Sequence, residues 1–389
     1  MKNWLPIFEQ KFNSALIRGY VERVIDLAVA IQQIPAPTFD EEKRAQFVRD
    51  QFSSMGLHAV EIDGLYNVYG MLPGEQRDCP ATMIAAHTDT VFSVQTDLSI
   101  RRQQDTIYGA GLGDNSAGVA GLLVLAQVLI DLQFTPPGDL WFVATTREEG
   151  LGDLGGMRAA FERLSGRIGA VINLEGLAFG HIYNAGIAVR RFHITATAPG
   201  GHSWLHFGRP SAINAILELG MRIIGLNVSD QPRTTFNIGM IEGGESINSI
   251  AAQAGLWLDL RSEDSAALSQ LVDRVQQLIA AQQTAEIRFT VEQVGDRPSG
   301  ALPADHPLIA AALESLERVG FRGTLESGST DANIPLSLGM PAVTIGITRG
   351  GNAHRIDEYM EIAPIENGIR QLIMLTLAAS AWVARKGTP

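Results

Sequence analysis

The sequence predicts an α/β protein built on a mostly parallel sheet, with a smaller α+β domain inserted into it. Three observations carry this expectation. Short apolar strands alternate with helices through the first half, the pattern changes near residue 187, and helix and apolar-strand alternation returns after 293. Continuous apolar strands separated by helices indicate βαβ units whose sheet is covered on both faces. A chain of 389 residues also exceeds the size at which one hydrophobic core usually stops growing.

The elements follow in order. The stretch up to Pro35 carries charges throughout and reads as amphipathic helix. Thr38-Phe39-Asp40-Glu41 has capping-box spacing and opens a second helix that closes near Gly56. Two short strands surround HAVEID and NVYGML, with Gly64 between them. Then come a strand at 82–86, a helix at 115–133, a strand at 140–146, a helix at 153–164 and a strand at 170–174. From RRFHITATA onward the order is strand, helix (210–225), strands TTFNIGMIEG and AGLWLDLRS, helix (265–283) and strand EIRFTVEQV. That order predicts one antiparallel sheet with a ferredoxin-like arrangement. The domains expected are therefore 1–187 and 294–389, which together form one α/β domain, and an inserted block at 188–293. The strand PAVTIGI (341–347) and a long last helix complete the chain.

Composition narrows the chemistry. With 46% hydrophobic and 19% charged residues, the chain has ample material for packed cores. Its only cysteine is Cys79, which excludes an intrachain disulfide framework and every cysteine-rich metal site. A metal must then be held by histidine and carboxylate. The formal charge of −12 argues against nucleic acid as a partner, because phosphate binding needs a concentrated basic face. No secretory leader pattern is visible, and the most apolar run, GVAGLLVLAQVLI, is too short for a bilayer and contains Gln127. A soluble, cytoplasmic protein without membrane contact is expected.

Polar residues stand where these strands end. TMIAA runs into His87-Thr88-Asp89, LWFVATT into Arg147-Glu148-Glu149-Gly150, and AVINL into Glu175. Ligands of open α/β sheets bind beyond the carboxyl ends of the strands. A glycine-rich loop, Gly109 to Gly113, delivers Asp114, and Asn352-Ala353-His354 follows the strand at 341–347. The loop spacing is GxGxG, not the dinucleotide fingerprint, and Asp114 would repel a pyrophosphate. Two histidines and several carboxylates without sulfur suit two divalent metals bridged by one carboxylate. Adjacent Glu148 and Glu149 point in different directions from an extended segment, so one can bind metal while the other acts as general base. Asp89 is placed to accept the His87 imidazole N–H.

HTDTV (87–91), GAGLGDNSAG (109–118), REEG (147–150), NLEG (173–176), GGHSW (200–204), GGESINSI (243–250), LDLR (258–261), STDA (329–332) and NAHRIDEY (352–359) occur in one order. This ordered set resembles the M20 zinc exopeptidase and deacylase family, which includes glutamate carboxypeptidase, acetylornithine deacetylase, succinyl-diaminopimelate desuccinylase and peptidase T. The likeness covers roughly residues 20 to 385. It implies that His87, Asp114 and Glu175 bind one zinc and that Asp114, Glu149 and His354 bind the other; cobalt and manganese tolerate the same ligand set. It implies Glu148 as base, Asp89 as the carboxylate orienting His87, and His202 as an oxyanion donor in the site of a partner subunit. Asn248, Arg261 and Gly328 match substrate-contacting positions. A homodimer formed through the inserted domain, which also acts as a lid, is implied too. Phe92 stands where deacylases often carry proline and leans toward the peptidase T-like branch. Arg355 follows the metal histidine where a small residue is common. His58, His181, His193, His206 and His306 match no motif and read as structural or exposed.

The function expected is hydrolysis of a peptide bond in small peptides by a di-zinc enzyme. The alternative is an N-acyl-amino-acid amidohydrolase. A non-catalytic metal- or peptide-binding relative would have no need of Glu148. A nucleotide-dependent enzyme using the glycine-rich loop is the remaining alternative.

Overall fold

The computed structural model describes residues 14–386, so the first part of the expected N-terminal helix lies outside the described residues. The chain divides into two compact units. One is formed by the chain up to Gly186 and from Gly300 onward, and the other is Ile187–Ser299.

The first unit is organised by a nine-stranded sheet. Its centre consists of Leu140–Thr145, Ala81–His87, Ile168–Leu174 and Ala342–Ile345, joined by parallel pairings. All of these strands are apolar and nearly wholly buried, because helices cover both faces. His58–Ile62 and Val68–Leu72 extend one side by antiparallel pairing, and His181–Gly186 extends the other. One core packs the helices Ser14–Gln32, Gly118–Asp131 and Ile365–Lys386 against the sheet, and a second core lies around Met157 and Phe161. A single helical stretch among the described residues, Leu112–Asp131, is long and apolar enough to cross a membrane. Most of it is buried inside this unit, and it extends beyond the short apolar run seen in the sequence. The extension comes from a distorted turn, Leu112–Ala117, that leads into the regular helix.

The helix Glu42–Ser54 forms as expected, but the capping box does not. Thr38 and Glu41 turn their side chains elsewhere, and Glu41 makes no side-chain cap bond. The competing partners are backbone and carboxylate groups of the strand ends described below.

The second unit is a four-stranded antiparallel sheet in the order Thr234–Gly243, Gln253–Ser262, Ala188–Thr197, Arg288–Arg297. Two helices, Ala212–Ile224 and Ser265–Gln282, share one apolar core with it. In chain order the strands stand 2-3-1-4, the ferredoxin-like arrangement. The last strand runs to Arg297, past 293, where the sequence pattern places the boundary. Register shifts between Gln293 and Gly295, so side-chain alternation breaks before the pairing does.

Candidate metal centre and active site

The parallel strands of the first unit deliver their polar residues together. His87 ends one strand, opposite Thr145 in the ladder, and is fully buried. Its Nε2 lies 3.2 Å from Asp114 Oδ1 and 3.5 Å from Glu175 Oε2. His354 Nε2 lies 3.2 Å from the other Asp114 oxygen, Oδ2, and 3.1 Å from Glu149 Oε1. Asp114 thus faces a different imidazole with each oxygen. Among the described residues, three groups bring donor atoms within 4.8 Å of one another: His87, Asp114 and Glu175; Asp114, Glu149 and His354; and His87, Glu148 and Glu149. Imidazole and carboxylate donors without thiolate fit a hydrolytic divalent cation. The shared Asp114 fits two such cations.

The charge state agrees with that chemistry. Burial alone would favour neutral His87, but Glu175, Asp114 and Asp89 outweigh it and hold the ring protonated well above its usual range. Hydrogen bonds to Asp114 and Glu149 push His354 up to about 10. Asp114 is held far below the usual carboxylate range, since its bonds to His354 and His87 outweigh burial. Burial raises Glu175 and pushes Glu149 up to about 7. In the metal-free protein, protons on the imidazoles offset carboxylate charge that cations would otherwise offset.

Asp89 stands beside His87, as the sequence expectation has it, and holds more than the imidazole. The acceptor nearest His87 Nδ1 is the backbone oxygen of Asp89, at 3.1 Å, while the carboxylate Oδ1 stands 3.5 Å away. The buried carboxylate also accepts the backbone N–H of Glu148 on Oδ1 and of Glu149 on Oδ2, both at 2.9 Å.

Local backbone supports the arrangement. Arg147, Asn352 and His354 all adopt left-handed conformations (φ 55°, 59° and 67°), uncommon for residues with a side chain. Gly176 sits so close to the Asp114 loop that a Cβ there would stand 2.0 Å from Gly113 O. A cleft of about 310 Å³ opens beside Asp114 and Glu175, bounded also by Leu177, His181 and Tyr183. His181, read from the sequence as structural or exposed, is exposed and lines the cleft, with Nδ1 3.0 Å from Thr324 Oγ1. Gly328 ends the strand Thr324–Gly328, where a Cβ would meet the Tyr183 ring at 2.6 Å.

The remaining sequence-predicted residues belong to the second unit. His202 and Asn248 come together there, because Gly201–His202 pairs with Ser249–Ile250. His202 is exposed, and its Nδ1 accepts N–H bonds from Trp204 at 3.2 Å and Leu205 at 3.4 Å. The Asn248 side-chain oxygen accepts from Ser246 Oγ at 2.6 Å. Arg261 lies along Asp259, donating from Nε at 2.7 Å and from Nη2 at 3.2 Å.

Sequence reasoning missed two buried carboxyls. Glu358 accepts the N–H groups of Gly113 and Asp114. Asp331 takes a 2.6 Å bond from Thr145 Oγ1, and its other oxygen, Oδ1, has no partner. Both stand inside motifs quoted above (NAHRIDEY and STDA), yet neither lies at a strand end that would have drawn attention to it.

On this fold, five convergent histidine and carboxylate donors form a candidate site for divalent metal. Residues 83–377 match the model of peptidase family M20/M25/M40, and the chain belongs to that family. It is accordingly a metal-binding hydrolase of amide or peptide bonds. It is 26% identical over 410 residues to acetylornithine deacetylase of Shigella sonnei, an alignment covering 98% of this chain and all of the relative. Its fold is similar to that of a Staphylococcus aureus tripeptidase (TM-score 0.76, 21% identity, 93% of this chain and 99% of that one). It is also similar to that of the Bacillus cereus aminopeptidase PepT (TM-score 0.73, 19% identity, 92% and 98%).

Proposed function

We propose that the protein is a di-zinc exopeptidase that cleaves a peptide bond in small peptides in the cytoplasm, with Glu148 as general base. The observation that carries this reading is Asp114, whose two oxygens face His87 and His354 while each imidazole has a further carboxylate of its own. His87, Asp114 and Glu175 would hold one cation, and Asp114, Glu149 and His354 the other. Zinc suits this donor set, as do cobalt and manganese. When bound, two such metals supply carbonyl polarisation and a water acidic enough to ionise near neutral pH.

The chain's own groups do the rest. Glu148 takes the proton of the attacking water on its carboxylate and returns it to the leaving nitrogen. Asp89 keeps the Glu148 and Glu149 peptide planes fixed during that exchange. Because His202 Nδ1 accepts backbone N–H groups, its neutral ring carries the proton on Nε2, which can donate to an oxyanion. Asn248, Arg261 and Gly328 are assigned to substrate. Arg261 would share its guanidinium between Asp259 and a substrate carboxylate.

Residues 187–299 serve on this reading as lid and homodimer interface. Leu217, Met221 and Ile224 of one helix are exposed, as are Met240 and Ile241 of the edge strand Thr234–Gly243. An apolar helix face beside an unpaired sheet edge supports self-association through this unit.

The second reading, an N-acyl-amino-acid amidohydrolase, is favoured by the likeness to acetylornithine deacetylase. The deciding experiment assays zinc- and manganese-loaded protein on di- and tripeptides beside N-acetyl, N-succinyl and N-carbamoyl amino acids. Turnover of peptides supports the first reading, and turnover confined to N-acyl amino acids replaces it with the second. Two bound metals with no hydrolysis of any of these would end both.

A further inference from the structure

We propose that Thr38 is a positioning residue of the hydrolytic site, acting through Asp89 on the segment that carries Glu148 and Glu149. The inference rests on the reading of Glu148 as base and Glu149 as ligand. It adds a role for a segment that the sequence assigns only to helix capping.

Thr38 Oγ1 donates to Asp89 Oδ2 at 2.8 Å. That same oxygen accepts the Glu149 N–H, while Oδ1 accepts the Glu148 N–H. Asp89 is wholly buried, so its carboxylate has no water with which to replace a lost donor. Two consecutive peptide N–H groups held by one carboxylate set the directions in which the two glutamates leave the chain. The rotation of that carboxylate therefore governs both side chains, and Thr38 is the side-chain hydroxyl that restrains it.

The neighbours of Thr38 act on the same strand ends. Glu41, fully buried, accepts the Arg147 N–H at 3.2 Å and the Phe39 N–H at 2.9 Å. Arg147 is the left-handed residue immediately before Glu148. Arg44 is buried as well, and donates to Thr88 O and Ile34 O, both at 2.7 Å. Its cation is the positive charge that this segment brings toward buried Asp89. Residues 38, 41 and 44 thus each send a polar group to 88–89 or 147. A helix start that needed only a cap would not require three polar links to the ends of two other strands, one of them fully buried and two partly so.

The test uses full-chain Thr38→Val and Thr38→Ser. Zinc affinity of the metal-stripped proteins is read by chelator competition, kcat and KM on the best substrate of the panel above, and folding by circular dichroism and Tm. Partners that orient metal-site groups usually contribute ten- to a hundredfold, so the valine variant should lose about tenfold in zinc affinity and in kcat with KM nearly unchanged. The serine variant should restore both. Wild-type zinc affinity and kcat in the valine variant would overturn the proposal, as would a serine variant as impaired as valine. A lowered Tm with both readouts intact would also overturn it, since the hydroxyl would then only stabilise the fold. If valine prevents folding, Thr38→Ala replaces it, and failure of both to fold while serine folds counts against positioning. If no substrate is turned over by the wild type, the reading under Proposed function fails, while zinc affinity still decides the role of Thr38.

Discussion

Glu358 Oε1 accepts the backbone N–H groups of both Gly113 and Asp114, at 2.6 and 2.9 Å, across more than 240 residues of sequence. Asp114 is the carboxylate that faces both imidazoles, so the loop presenting it is held from beneath by a buried side chain. Glu358→Ala should free that loop and weaken zinc binding by about ten- to a hundredfold, as measured by chelator competition. Glu358→Gln keeps an acceptor and should lose less.

The adjacent glutamates should separate by experiment. Glu148→Ala is expected to lower kcat by about 10²- to 10⁴-fold while metal content stays near that of the wild type. Glu149→Ala should instead lower metal content, because its carboxylate lies against His354. Elemental analysis with steady-state kinetics distinguishes the two, and normal turnover by the Glu148 variant would remove it as the base.

Stability of the metal-free protein should fall as pH rises. Burial pushes Asp331 up to about 8, with Glu148 adding to the effect, and pushes Glu149 and Glu358 up to about 7. A carboxyl whose folded pKa lies above its unfolded value stabilises the fold fully below the unfolded pKa. That contribution is lost as pH climbs through the folded pKa. The window is therefore about pH 4 to 8. Asp89 and Asp114, whose pKa values are lowered, act oppositely and lose their contribution only in stronger acid. Tm of chelator-treated protein, followed across that window, should decline, and Asp331→Asn should flatten part of the slope. A Tm that rises steadily from pH 4 to 8 would contradict the assignment.

Gly176→Ala tests the close approach behind the site. The new methyl would meet Gly113 O at 2.0 Å, a backbone atom that cannot swing aside. Either the loop moves Asp114 away from Glu175 or the fold absorbs the strain. A loss of about 1 to 3 kcal/mol of stability is expected, together with weaker metal binding. Thermal unfolding with and without zinc reads both effects.

Much of the fold is legible locally. Runs such as TMIAA and LWFVATT are short and mostly apolar, the pattern of a buried strand. A polar residue just after such a run stands at a sheet edge where ligands collect. That reasoning led to His87, Glu148, Glu149 and Glu175, and the glycine loop to Asp114. It reached neither Glu358 nor Asp331, because nothing near them in sequence distinguishes a carboxyl bonded to a distant loop from one on the surface. It also read Thr38 and Glu41 as a cap, since spacing alone cannot tell which of two competing partners a hydroxyl will choose.

By itself, then, the sequence determined the class of fold and the residue types available to a metal, for both follow from periodicity and from what lies at the end of each apolar run. Tertiary structure alone decided that Asp114 gives one oxygen to each imidazole and that the Asp89 carboxylate holds the Glu148 and Glu149 backbone while its own carbonyl lies nearest His87. It also decided that Thr38 turns away from its helix. Most are choices among hydrogen-bond partners that lie tens to hundreds of residues apart, and burial settles them by removing the water that would otherwise satisfy any of them.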